Sequence, residues 1–189
     1  MLELLKKTGA LLEGHFLLSS GKHSSRYVQC ARLFEDPRVG DVVGKLLADK
    51  LRKYEVDIVV GPAMGGVILA YVVARELGVY AMFAERENGE MLLRRGFQIL
   101  PDQKVAVVED VVTTGRSVKE VMELVKKMGA HVVCVGSVVD RSMGRVNFNI
   151  PYEYLVQLDL PVYEPHECPL CAEALPIVKP GSRYLEKNT

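Results

Sequence analysis

Apolar residues in this chain fall into short unbroken runs and longer stretches spaced three and four apart, and from residue 57 onward the two kinds alternate. Asp57–Gly61, Val79–Ala84, Lys104–Val108 and His131–Val139 are β-branched or apolar runs that predict buried strands, and Leu155–Leu158 predicts one more. Between them, helical spacing runs from the Gly61–Gly66 turn to Leu77 and from Ser117 to Met128, with Asp110–Gly115 read as a loop. Upstream, Val39, Val42, Val43, Leu46, Leu47 and Leu51 share a helix face after Pro37, with Asp36 as N-cap and an end near Lys53. Leu2–Leu12 suits a short amphipathic helix, and Phe16–Cys30 suits extended pieces around a Ser20–Gly21 turn.

Unbroken apolar strands separated by helices predict an α/β fold, a parallel sheet flanked by helices and joined by right-handed crossovers. The uncharged stretch Ile58–Ala74 is too short for a comfortable membrane span and is interrupted by Gly61–Pro62, so strand, turn and buried helix are the better reading. No repeat or Gly/Ser linker divides the 189 residues, which predicts one domain: a hood at about 1–35, a core at about 36–160 and a Pro- and Cys-containing tail at about 161–189.

Composition narrows the function. Lys and Arg total 24 and Asp and Glu total 24, so the chain lacks the basic surplus of a sequence-independent nucleic-acid binder. Four cysteines are too few for a disulfide-built secreted scaffold, and the start shows no signal-peptide pattern; a cytoplasmic protein with no membrane partner is expected.

In parallel sheets of this kind ligands bind beyond the carboxyl ends of strands, and two segments there carry unusual chemistry. In Val105–Ser117, adjacent carboxylates Glu109 and Asp110 end a buried strand and are followed by Thr113–Thr114–Gly115 and a helix start. Free N–H groups and hydroxyls at a helix N-terminus make a phosphate site. Two carboxylates beside a phosphate need another occupant, and sugar hydroxyls with a hard cation meet that need. The plainer alternative is a helix cap and an ordinary turn. The second segment, Gly61–Pro–Ala–Met–Gly–Gly, lets backbone N–H groups approach an anion at the start of the next helix.

The string Val108–Glu–Asp–Val–Val–Thr–Thr–Gly resembles the phosphoribosyl diphosphate motif of the type I phosphoribosyltransferases, in the form carried by their orotate branch. Leu11–Phe16 with Leu18–Ser24 is similar to the N-terminal hood of that branch, and Val139–Asp–Arg to a late strand end. The resemblance implies magnesium-dependent transfer of a phosphoribosyl group from 5-phosphoribosyl 1-diphosphate to orotate, in a homodimer. It implies that Glu109 and Asp110 hold the ribose hydroxyls. Val111, Val112, Thr113, Thr114, Gly115, Arg116 and Ser117 would hold the 5-phosphate, and Ala63, Met64, Gly65 and Gly66 the diphosphate. Arg141, Thr113 and Lys22 would face orotate, with His23 as a further candidate beside the base. Magnesium would be held mainly by substrate and water, with no direct protein side-chain ligand. Gly65 departs from the family, which often carries lysine there.

Residues 84–97 stand where the family has a catalytic loop shared across the dimer, and Arg86 is the candidate for stabilising departing diphosphate. Arg94 and Arg95 read either as helpers or as solvated ends of a hairpin about Asn88–Gly89. A purine phosphoribosyltransferase and a non-catalytic phosphoribosyl diphosphate-binding regulator are the alternatives. Cys168 and Cys171 have metal-ligand spacing with His166 nearby, yet fall short of four ligands, so a structural tail or a disulfide is preferred to zinc. Cys30 and Cys134 read as buried small hydrophobes.

Overall fold

A computed structural model describes residues 1–18 and 20–180. Ser19, within the hood segment, and the tail from residue 181 onward lie outside the described residues. The chain divides into two units: one spans Leu33–Leu158, and the other combines Leu2–Arg32 with the residues from Asp159 onward.

The first unit opens with helix α2 (Pro37–Leu51), which follows α1 (Leu2–Lys7) of the other unit. Asp36 caps α2: its carboxylate accepts the Arg38 N–H at 2.9 Å, and Pro37 occupies the first turn, where its missing N–H costs nothing. Then come β3 (Ile58–Pro62), α3 (Gly65–Leu77), β4 (Tyr80–Glu87), β5 (Glu90–Leu93), β6 (Lys104–Val112), α4 (Arg116–Lys127), β7 (His131–Asp140) and β8 (Tyr152–Gln157).

These strands form one sheet in the order β5-β4-β3-β6-β7-β8, parallel throughout except for β5, which runs antiparallel to β4. Side chains alternate across it. Ile58, Val60, Val105 and Val107 pack with Val118, Val121 and Val125 of α4 in one core cluster, each essentially without exposure. Val59, Ala106 and Val108 point the other way and are equally buried. Strands covered on both faces must be apolar at every position, which is why they read as unbroken runs.

Several boundaries differ from expectation: β4 runs on to Glu87, β8 begins at Tyr152, and two further shifts have clear local causes. Leu11 and Leu12 belong to strand β1 (Leu11–Leu17) rather than to the first helix, which stops at Lys7; Gly9 takes a left-handed φ of 66° and ends it. Strand β6 continues four residues past Val108, so Glu109 and Asp110 are strand residues and not part of a loop. The β-branched pair Val111–Val112 extends the ladder, with Val112 opposite Asp140 of β7.

In the second unit β1 pairs antiparallel with β2 (His23–Val28). Tyr163 forms an antiparallel bridge to His23, Val178 a parallel one to Phe16, and between them lies the short helix α5 (Pro169–Ala172). Among the described residues no helix is long and apolar enough to cross a membrane.

Candidate active site

The chain leaves β3 for β4 on one side, then returns to place β6 on the other side of β3. The crossovers from β3 and β6 therefore diverge, and a crevice opens between their carboxyl ends. The two segments singled out in the sequence meet there.

Backbone packing fixes the first segment. A Cβ on Gly61 would stand 2.6 Å from the Gly66 carbonyl carbon, and one on Gly66 would stand 2.9 Å from the Gly61 Cα and 3.0 Å from the Val108 carbonyl oxygen. No side chain fits at either position, so the turn folds tightly back on its own strand and on β6. The Ala63–Met64 peptide between them is cis. Met64 and Gly65 are exposed at the start of α3, Ala63 is half-buried, and Gly66 is buried.

Gly65 faces Asp110 directly. A Cβ at Gly65 would lie 2.6 Å from Asp110 Oδ2 and closer still to Oδ1, so the carboxylate occupies the space a side chain would take. Asp110 Oδ1 also accepts the Val111 N–H at 2.8 Å. Burial, with the neighbouring Asp110 charge second, pushes Glu109 up to about 9; burial also raises Asp110. Both shifts favour a proton held on the pair near neutral pH.

Beyond the carboxylates, a cleft of about 60 Å³ is lined by Glu109 and by Val111 through Val118. Gly115 caps α4 at φ 71°, and a Cβ there would meet Val146 at 2.8 Å and Phe148 at 2.9 Å, so the turn demands glycine twice over. Thr113 and Thr114 are exposed, Ser117 is half-exposed, and the Arg116 N–H reaches Thr114 Oγ1 at 3.4 Å. The cleft thus combines three hydroxyls with the positive end of a twelve-residue helix, a cradle for a phosphate monoester.

Arg141 follows β7, and its N–H donates to the Val112 carbonyl at 2.8 Å. That bond holds the half-buried Arg141 at the same strand ends as the carboxylates and the phosphate loop.

Other expected residues have partners of their own. Residues 84–97 are not a bare loop: β4 and β5 form a hairpin turned by Asn88 and Gly89, both at positive φ (50° and 89°). Arg95 makes a forked pair to Glu85 at 2.8 Å through each nitrogen, and Arg94 pairs with Glu87 at 3.1 Å, which makes both ends of a hairpin. Arg86 donates to the Gly89 carbonyl at 2.8 Å and pairs with Glu120 of α4, which also holds Arg116.

In the second unit Lys22 is paired with Glu164 at 2.6 Å. His23, a candidate for the base, is instead buried against His15. Cys30 and Cys134 are buried, as expected, and all four cysteines are free, so of the two readings of the Cys168–Cys171 pair, structural tail or disulfide, the disulfide is not formed. His166 is largely exposed and paired with Glu167, away from the cysteines. The imidazoles that approach the Cys168–Cys171 pair are those of His15 and His23, which sequence spacing did not link to it.

Known proteins are similar to this chain. The phosphoribosyl transferase domain family matches residues 30–152. The chain is 69% identical over 184 residues to the orotate phosphoribosyltransferase of Thermotoga maritima, covering 97% of this chain and 98% of that one. It is 55% identical over 185 residues to the orotate phosphoribosyltransferase of Caldanaerobacter subterraneus, covering 98% and 97%. The crystal structure of the orotate phosphoribosyltransferase from Aeropyrum pernix superposes with a TM-score of 0.69 at 30% identity, covering 84% of this chain and 94% of that one. With a type I phosphoribosyltransferase sheet, its carboxylates at the strand switch and near-full-length similarity to these proteins, the chain belongs to the orotate phosphoribosyltransferase family.

Proposed function

We propose that this chain transfers the phosphoribosyl group of 5-phosphoribosyl 1-diphosphate to orotate, releasing diphosphate and forming orotidine 5′-monophosphate, a step of pyrimidine nucleotide synthesis. The observation that carries this reading is the meeting of Asp110 with the Gly61–Gly66 turn, directly before the phosphate cradle of residues 111–117.

The assignment of roles follows from charge and reach. The 5-phosphate sits on the first turn of α4 and the Thr113, Thr114 and Ser117 hydroxyls. Glu109 and Asp110 accept hydrogen bonds from the ribose 2- and 3-hydroxyls, which orients the anomeric carbon. The N–H groups at Ala63–Gly66 hold the diphosphate. Arg141, a planar fork of donors at the same strand ends, suits the orotate carboxylate, with Thr113 beside the ring. Displacement at the anomeric carbon passes through oxocarbenium character, and two carboxylates near the ribose favour that positive charge.

Magnesium fits this donor set. A substrate rich in phosphate and hydroxyl oxygens would supply the hard oxygen ligands together with water, and the two carboxylates beside the ribose would offset the ion's charge without binding it directly. When bound, it neutralises charge on the departing diphosphate.

A homodimer is part of the proposal. Val67, Ile68 and Tyr71 of α3, with Met82, Phe83 and Phe97, line an apolar groove of about 310 Å³, and Ile68 and Tyr71 are half or more exposed. A second copy of the chain would cover this patch and bring the hairpin at 84–97, with Arg86, to the neighbouring site. Light scattering in solution tests the assembly. A cytoplasmic location, where its four free thiols stay reduced, is part of the same reading.

The deciding experiment follows ultraviolet absorbance of orotate with phosphoribosyl diphosphate, with and without magnesium, beside adenine, hypoxanthine, guanine and uracil. Magnesium-dependent loss of orotate alone is expected. Turnover of a purine would overturn the role of Arg141, and binding of phosphoribosyl diphosphate without turnover of any base would point to a regulator.

A further inference from the structure

We propose that His15, His23, Cys168 and Cys171 form a zinc site that ties the hood hairpin to the C-terminal segment of the second unit. One ligand atom from each lies within 4.8 Å of every other. His15 Nε2 is 2.9 Å from His23 Nδ1, 3.6 Å from Cys168 Sγ and 3.7 Å from Cys171 Sγ, and Cys171 Sγ is 3.3 Å from His23 Nδ1. With Zn–N near 2.0–2.1 Å and Zn–S near 2.3 Å, a tetrahedron has edges of about 3.3–3.8 Å, so these atoms stand close to the corners of one.

The surroundings are those of a built site. His15 Nδ1 lies 2.9 Å from the Leu175 carbonyl, which can only accept; the ring therefore carries its proton on Nδ1 and turns the Nε2 lone pair into the cluster. His15, His23 and Cys168 are buried at 4%, 7% and 4% exposure. Two imidazoles pressed together in a small unit are poor core material, because their polar nitrogens lose water and gain little packing.

Backbone geometry delivers the ligands. His23 N and O both bond Tyr163, at 2.9 and 2.8 Å, which anchors the chain before Cys168. Val178 N donates to the His15 carbonyl at 2.8 Å, which anchors it after Cys171. Between these anchors α5 gives the two cysteines one helical turn, with Cys171 N donating to the Cys168 carbonyl at 3.1 Å, so both sulfurs face the imidazoles.

The donor set selects the metal. Two thiolates and two imidazoles suit zinc and are unsuited to magnesium, which wants oxygen. Four protein ligands fill a tetrahedral shell and leave no position for a substrate, which makes the role structural. Binding displaces the two thiol protons and forms two Zn–S and two Zn–N bonds, with no change of oxidation state.

The test uses the full chain, purified under reducing conditions without chelator. Elemental analysis should find one zinc per chain, and cobalt(II) added to the stripped protein should give the visible bands of a tetrahedral ion with a thiolate charge-transfer band. The exposed Cys171 permits Cys171→Ser, which should lower cobalt affinity by more than the roughly 10–100-fold that loss of an outer-shell partner costs, and remove intensity from the charge-transfer band. Less than a tenth of an equivalent of zinc in reduced, folded protein, or cobalt bands without thiolate character, would overturn the site. So would full zinc retention by the Cys168→Ser/Cys171→Ser double variant, or a Cys168–Cys171 disulfide as the main form of the freshly purified chain.

Discussion

The Asp110 carboxylate stands in the volume that a side chain at Gly65 would fill, with Oδ2 2.6 Å from the ideal Cβ position. Residue 65 opens α3 and residue 110 lies on β6, so one close approach joins the two halves of the proposed site. Because the obstructing atoms end a rotatable side chain, Gly65→Ala is expected to cost the fold no more than about 1 kcal/mol. It should lower kcat/KM for phosphoribosyl diphosphate by roughly tenfold, since Asp110 must turn away. Gly65→Lys adds a cation near the diphosphate yet forces the same displacement, so activity should fall. Steady-state kinetics beside thermal unfolding checks both, and a more active lysine variant would refute the argument.

Asp110→Asn keeps the shape and removes the charge. Turnover should drop by about 10²–10³-fold with an unchanged circular dichroism spectrum. Parent-like activity would remove this loop from the reaction.

Glu109 links the site to pH. Its pKa rises from 4.5 to about 9 in the folded chain because burial disfavours the charged form. The native state therefore holds this proton more tightly than the unfolded state. The resulting stability is fully present below about 4.5 and is lost as pH climbs through about 9. Glu109→Gln, neutral throughout, should flatten that decline and unfold at a higher temperature than the parent at alkaline pH. Occupation by a magnesium-bound ribose favours the carboxylate, so substrate binding near neutral pH should release a proton. Calorimetry in buffers of different ionisation enthalpy measures it.

Two hairpin arginines should behave differently. Arg95 forms an exposed pair with Glu85, so Arg95→Ala should change stability by less than about 1 kcal/mol and turnover by less than about twofold. Arg86→Ala should reduce kcat by about 10–100-fold. If Arg86 serves the neighbouring site, mixing Arg86→Ala chains with Asp110→Asn chains will restore activity that neither has alone. No recovery after subunit exchange would confine Arg86 to its own chain.

Features set by local chemistry were legible in the sequence: the Asp36 cap, the Asn88–Gly89 turn and the unbroken valine runs of buried strands. The acidic pair and the phosphate turn were legible too, because strand end, loop and helix start are contiguous in the chain. The extent of β6 was not, since an acidic pair usually signals a strand's end, and only pairing with β7 carries the ladder on to Val112. Nor was the neighbourhood of the Cys168–Cys171 pair. His15 lies 153 residues before Cys168, and nothing in local spacing links them.

The second unit is a split module: residues 2–32 hold one half, and the segment from 159 onward holds the other. A ribosome therefore delivers the β1–β2 hairpin first and its backbone partners Tyr163 and Val178 last. The intervening sheet has all its strands before those partners emerge, so the core can fold during synthesis while the hood waits. Closure of this module therefore waits on residues made after β8, because the bridges to His23 and Phe16 come from Tyr163 and Val178.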